Sequence, residues 1–226
     1  MIESGIFLGG IFLGLDTCGA MGSIALARLQ DGALDLLGEK EIAGGELSIA
    51  LVQGIADLLA AAGIAVSGLA GITAVAGPGS FTGIRVGLAA VKGFAEAANL
   101  PVVTLSRLAL LADSAPAQCA VLDAHRGQFY CGMYGSGEPH EMLLTAGEIN
   151  TMGGLTGCVA VCEETVAQLL EELYGEPELI RVPPPTAAAA LRFSLSKWRA
   201  GDFADVALLD GYYLRGADAK VSAGRH

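Results

Sequence analysis

Apolar positions along this 226-residue chain alternate between a period of two and a period near 3.6, so strands and helices succeed each other. Residues 11–16 read as a strand, 17–22 as a glycine-containing turn and 23–29 as a second strand. Asp31-Gly32 is a tight turn into a third strand near 33–37. Leu47, Leu51, Ile55, Leu58 and Leu59 then recur at helical spacing until Gly63 ends the run. A short apolar stretch at 71–76 predicts a buried strand. After the loop at 77–83, Ile84, Leu88, Val91, Ala95 and Ala98 mark one face of a second helix, followed by a strand at 101–105 and a helix from about Ser106.

The second half starts the same series again. Residues 119–123 form a strand ending in Asp123, as 11–16 end in Asp16, and 127–134 alternate like its hairpin partner. A strand at 157–162, a helix at 163–174 and a strand at 178–182 lead to Pro183-Pro184-Pro185. Residues 186–199 then read as one helix with Leu191, Leu195 and Trp198 on a stripe. A β-meander, helix, strand and helix occurring twice predicts an α/β protein whose two lobes, 1–108 and 109–226, face each other across a cleft.

Composition changes this picture in three ways. Apolar residues make up 53% and charged residues 16%, against about 25% charged in a typical globular chain, which raises the question of a membrane span. Residues 58–77 have the length of one, but Gly63, Gly68, Gly71 and Gly77 cut them into a helix end, a turn and a β-branched segment, so no span is expected. The apolar residues 6–15 follow Glu3 and no basic residue, unlike a signal peptide, and five cysteines without a C-x-x-C pair suit reduced thiols; the expected location is the cytoplasm. Thirteen basic against 24 acidic residues give a net charge of −11, a field that repels a phosphate backbone and disfavours autonomous nucleic-acid binding.

Three segments carry candidate chemistry. In G-L-D-T-C, Asp16, Thr17 and Cys18 stand at the tip of a turn whose amides either cradle a phosphate and its magnesium or are simply capped by the Asp and Thr side chains. The loop Gly77, Pro78, Gly79, Ser80, Phe81, Thr82, Gly83 joins a buried strand to a helix N-terminus, where Ser80 or Thr82 serves as cap. Arg85 in the first helical turn opposes the helix dipole, which points either to an anionic partner or to an internal salt bridge. The loop lacks the G-K-[ST] ending of a phosphate-binding Walker loop. In L-D-A-H-R-G-Q, Asp123, His125 and Arg126 lie at the tip of the second hairpin, either as cleft residues or as surface polar groups. Three histidines without a recognised spacing assemble no metal site, and no nucleophile elbow surrounds Ser80. The two early helices are rich in small residues on more than one side, which leaves apolar surface to be covered.

In order and spacing, G-L-D-T-C, A-G-P-G-S-F-T-G-I-R-V-G at 76–87, L-P-V-V-T-L-S at 100–106, L-D-A-H-R-G-Q-F-Y at 122–130 and Y-L-R at 213–215 resemble the TsaB (YeaZ) family over nearly the whole chain. The resemblance implies two actin-like ATPase (RNase H-like) lobes, each a mixed sheet opened by a β-meander and flanked by helices. It implies a non-catalytic subunit that pairs with a TsaD-like catalytic subunit and a TsaE-like ATPase to add threonylcarbamoyl to adenosine 37 of tRNA. Contact with tRNA would come only through the complex, and a homodimer would form when the chain is alone. No cofactor is required on this reading, with ATP or ADP and magnesium shared with the partner. The pairing surface would be the helices at 46–62 and 83–98, with Leu47, Ala50, Leu51, Gly54, Val86, Ala89, Ala90 and Gly93 as contacts. Residues 1–10 precede the family's usual start, Gly44 to Ser48 lack its usual histidine, and Gln128 replaces its glutamate. Two alternatives stand beside this one: an autonomous ATPase or small-molecule kinase, with Gly153-Gly154 as an adenosine loop, and a metallopeptidase.

Overall fold

The computed structural model describes residues 9–135, 138–151, 155, 157–174 and 178–214. Residues 1–8, Gly153-Gly154 and Arg215 of the sequence motifs lie outside the described residues.

The first sheet contains β1 (Gly9–Asp16), β2 (Met21–Gln30), β3 (Ala33–Ala43), β4 (Leu69–Gly77) and β5 (Val102–Ser106), in the order β3-β2-β1-β4-β5. The meander is antiparallel, and β4 and β5 add in parallel through the crossover helices α1 (Leu47–Ala61) and α2 (Phe81–Ala98). After β5 comes α3 (Arg107–Asp113). The second sheet contains β6 (Cys119–Asp123), β7 (Gln128–Met133), β8 (His140–Thr145), β9 (Val159–Val161) and β10 (Leu179–Arg181), in the order β10-β9-β6-β7-β8. Its crossovers are α4 (Ala146–Thr151) and α5 (Glu164–Tyr174), and α6 (Ala187–Phe193) and α7 (Leu195–Ala200) follow β10. Read outward from the opening strand, the two sheets have the same order and the same polarities.

The central strands β1 and β4 are apolar on both sides because helices cover both faces, as parallel strands require. On one face Leu47, Leu51, Ile55 and Leu59 of α1 and Ile84, Leu88 and Val91 of α2 close over Leu13, Leu15 and Ile24. Each such side chain contributes about 1.5–3 kcal/mol of burial. On the other face lies α6, whose Ala187 and Leu191 sit against Gly14 and whose first N–H donates to Ser23 Oγ at 2.8 Å. The helices that follow the two sheets are thus exchanged. α3 rests on β6, β7 and β9 of the second sheet, and α6 rests on β1, β2 and β4 of the first. The division at 108 therefore falls inside α3, and the closing helix belongs by packing to the first lobe.

Three expectations change. β3 continues from 37 to Ala43, since an edge strand with a register shift near Gly38 needs no regular apolar alternation. The helix expected at 186–199 is divided at Ser194, whose Oγ donates to Leu191 O and accepts from Thr73 Oγ1, each at 2.9 Å; Thr73 in turn accepts from Trp198 Nε1 at 2.9 Å. β8 and α4 form in a stretch where no element was expected. The run 58–77 resolves into the end of α1, a turn and β4. Residues Gly44–Ala61, α1 with the turn before it, are long and apolar enough to cross a membrane by length and composition. One side of that helix is seated on the sheet, and the other carries Gln53 and Asp57, the latter paired with Lys40 at 3.1 Å.

Candidate functional site: the two strand ends and the loop between the lobes

Asp16 ends β1 and is 1% exposed. Its Oδ1 accepts the Cys18 N–H at 2.9 Å, a turn closed by its own side chain, and its Oδ2 lies 3.5 Å from Arg107 Nε. Thr17 and Cys18 are also buried, and the Cys18 thiol donates to Val75 O at 3.3 Å. Burial, and next the charge of Asp16, push that thiol well above the ordinary range.

The glycine-rich loop lies directly on this turn. Ser80 N–H donates to Cys18 O at 2.8 Å, while Ser80 Oγ accepts the Gly83 N–H at 3.2 Å and so caps α2. A methyl group at Gly79 would strike Cys18, and one at Gly83 or Gly87 would strike Thr17; the approach of α2 to β1 explains those glycines. Gly77, Pro78 and Gly79 thus turn the chain onto its own first-lobe tip. Thr82 and Phe81 point outward. The Arg85 guanidinium stands 3.9 Å over the Phe81 ring, so an aromatic face meets the cation where an anion was expected. The Tyr213 ring also lies against Phe81, tilted, with centroids 5.5 Å apart, and Tyr212 N–H donates to Ala76 O at 2.8 Å, so Tyr212 and Tyr213 clamp the loop.

Arg107 was not singled out from sequence. It is 6% exposed, at the first position of α3, with Ser106 Oγ accepting the Leu108 N–H at 3.1 Å beside it. Burial opposes its charge, while Asp16 first, then Cys18, Cys162 and Glu163, favour it, and the balance holds its pKa above the usual arginine value. Those groups come from both lobes. A single charge inside the apolar stretch 100–112 was the available signal.

The second lobe's tip is open by contrast. The Asp123 side chain is 36% exposed; its Oδ1 accepts the His125 N–H at 2.7 Å, and Oδ2 lies 3.0 Å from His125 Nδ1. The Asp123 N–H donates to Glu163 Oε2 at 2.7 Å. His125 and Arg126 take left-handed backbone conformations, with φ of 60° and 57°. Both line a shallow cavity of about 230 Å³ with Asp123, Phe129 and Thr165. A neighbouring cavity of about 280 Å³ includes Cys162, Glu163 and Arg181; burial pushes the Cys162 thiol up to about 11. Among the described residues no three His, Cys, Asp or Glu side chains converge.

On the helix face the structure corrects the expected contacts. Leu47, Leu51 and Gly54 are buried in the chain's own core, because helical periodicity marks the face a helix buries first. Ala50, Val86 and Ala90 are half-buried beside it, and Ala89 and Gly93 are exposed. The outward apolar residues are Ile49, 83% exposed, and Val52, 57% exposed, on α1, with Phe81 at the start of α2.

With this geometry in hand, a family model described as TsaD, tRNA N6-adenosine threonylcarbamoyltransferase, matches residues 41–146, just under half the chain. The tRNA threonylcarbamoyladenosine biosynthesis protein TsaB of Escherichia coli (strain K12) is 29% identical over 128 residues, 54% of either chain. TsaB of Bacillus subtilis (strain 168) is 32% identical over 91 residues, 38% of this chain and 40% of that protein. The chain thus spans about half the length, or less, of the curated relatives it matches. The solved structure of YeaZ from Pseudomonas aeruginosa superposes on 91% of this chain and all of its own, with a TM-score of 0.72 and 25% identity. The chain is a TsaB/YeaZ-like protein. Its two five-stranded sheets are accordingly the two lobes of the actin-like ATPase superfamily.

Proposed function

We propose that this chain takes part in making threonylcarbamoyladenosine in tRNA, as a non-catalytic subunit that docks a TsaD-like catalytic partner on the outward side of α1 and α2. The observation that carries this reading is the exposed apolar surface of the two helices: Ile49 and Val52 on α1 and Phe81 on α2 are large and exposed, and Ala89 and Gly93 of α2 are exposed small residues, where a partner helix can approach closely. The TsaB names of its relatives and the likeness to YeaZ supply the reaction context.

On this reading the chemistry belongs to the partner, a TsaE-like ATPase joins the pair, and tRNA reaches this chain through the assembly, in keeping with its net charge of −11. The same face closes a homodimer when the chain is alone. The chain needs no cofactor of its own, and any magnesium nucleotide is shared with the partner. The setting is the cytoplasm. No observed geometry favours the autonomous ATPase or kinase, since the Asp16 carboxylate is engaged by the Cys18 N–H and Arg107 and Thr17 is packed against α2.

The test is co-purification of the tagged chain from its own cells with mass spectrometry. A TsaD-like protein is expected in stoichiometric amount with the wild type and absent with Ile49→Glu or Ala89→Glu, while the melting temperature stays within about 2 °C of wild type because both side chains are exposed. Pairing undiminished in both variants would remove this face from the interface, and a wild-type chain recovered without such a protein would remove the reading.

A further inference from the structure

In proteins built on two such lobes, a carboxylate at the end of the first strand suits a magnesium ion and the phosphates it carries. The residues here do not fit that group. Asp16, Thr17 and Cys18 are all buried, Ser80 N–H holds Cys18 O at 2.8 Å, and α2 approaches so closely that a methyl at Gly83 or Gly87 would strike Thr17. The side that an incoming cation would take is occupied by Arg107, whose guanidinium lies 3.5 Å from Asp16 Oδ2 and against Gly19 of the same turn.

We propose that Arg107 is a built-in counter-ion that takes the place of a ligand-borne cation beside Asp16, closing the first-lobe turn to magnesium nucleotide and joining the two lobes through charge. Three observations carry it. Asp16 and Arg107 are the only two residues with ionisable acid or base side chains other than thiols and phenols that are buried among the described residues, and they lie 3.5 Å apart. A buried carboxylate is stable only when paired. Arg107 stands on α3, the helix that leaves the first sheet and rests on the second. From there it also feels Cys162 and Glu163, and Glu163 accepts the Asp123 N–H at the corresponding strand end. One guanidinium therefore balances the first lobe's strand end and reaches toward the second's. Arginine suits this place because it keeps its charge when desolvated, as lysine does not. The inference concerns this chain's own cleft and stands independently of the partner assigned above.

Thermal unfolding of the full chain tests it. Magnesium-ADP and magnesium-ATP are expected to leave the wild-type melting temperature unchanged. Arg107→Ala is expected to lower it by about 10 °C, as loss of one half of a buried pair in a chain of this size does. Ethylguanidinium should then restore much of that loss, and ethylurea, which has nearly the same shape without the charge, should not. The doubly neutral variant Asp16→Asn with Arg107→Met should melt well above Arg107→Ala. If Arg107→Ala does not fold, the double variant decides alone: its folding supports the counter-ion, and its failure overturns it. Equal rescue by ethylurea and ethylguanidinium would reduce Arg107 to a packing residue and overturn the proposal. So would a wild-type shift with magnesium-ADP that Asp16→Asn abolishes.

Discussion

Asp16 and Asp123 occupy the same place in two sheets of the same order, and their surroundings have diverged completely. Asp16 is sealed under the glycine-rich loop and matched by Arg107; Asp123 sits at an exposed hairpin tip, matched by the neighbouring His125. A duplicated architecture fixes where a carboxylate stands, but the residues that arrive from elsewhere decide what it does. In the first lobe those arrivals are the loop before α2 and the start of α3. The second lobe receives no such cover: its tip is lined by α5 and a cavity open to solvent.

The sharpest way to break the comparison is to remove each carboxylate. Asp16→Ala leaves Arg107 buried without its partner, and we expect a loss of about 3–5 kcal/mol in urea unfolding. Asp123→Ala at the exposed tip should cost less than about 1 kcal/mol. Equal losses would mean that the two strand ends are energetically alike despite their burial. A second pair of variants compares backbone approach. Gly87→Val forces a branched side chain into Thr17, for an expected cost of about 3 kcal/mol, whereas Gly127→Ala meets open space and bears only the left-handed backbone penalty, about 1 kcal/mol.

A weaker, pH-dependent contrast involves Cys162, a second-lobe thiol within reach of the Arg107 charge. The folded pKa of Cys162 is raised from 9.0 to about 11, so the folded state holds its proton longer than the unfolded chain does. Stability from this group is complete below pH 9 and is lost as pH rises to about 11, a fall of up to about 2 kcal/mol. Chemical unfolding at pH 8, 9, 10 and 11 should show a shallower decline in Cys162→Ala than in wild type; parallel curves would dissociate the thiol from the effect. The smallest expected signal is kinetic. At pH 8, iodoacetamide should modify Cys162 about a hundredfold more slowly than an unfolded-chain cysteine.

Periodicity made most of this fold legible. The opening strands, both early helices and the equivalence of Asp16 with Asp123 follow from apolar spacing, because each element buries a face that its own sequence marks. Where an element buries little, spacing said little: β3 beyond Leu37 is an edge strand rich in charged residues, and β8 is a half-exposed edge strand that runs straight into α4. The glycine-rich loop stood out as a motif, but its target, the Thr17 backbone and side chain, depends on how β1 and α2 meet. Arg107 was silent for the same reason, since its partner is 91 positions away by number, at Asp16. The helix-face residues show the converse problem. Leu47 and Leu51 were the visible apolar positions because the core needs them, and the apolar surface left exposed on the same helix is that of Ile49 and Val52.

The exchange of α3 and α6 has a consequence for how the chain is made. β1 and β2 leave the ribosome well before the helix that covers their Gly14 face, which is built from Ala187–Phe193. At roughly 5–20 residues per second, the nascent first lobe waits on the order of ten seconds with one apolar face of its sheet bare. Synthesis of the segment that follows the second sheet is therefore also the step that finishes the first.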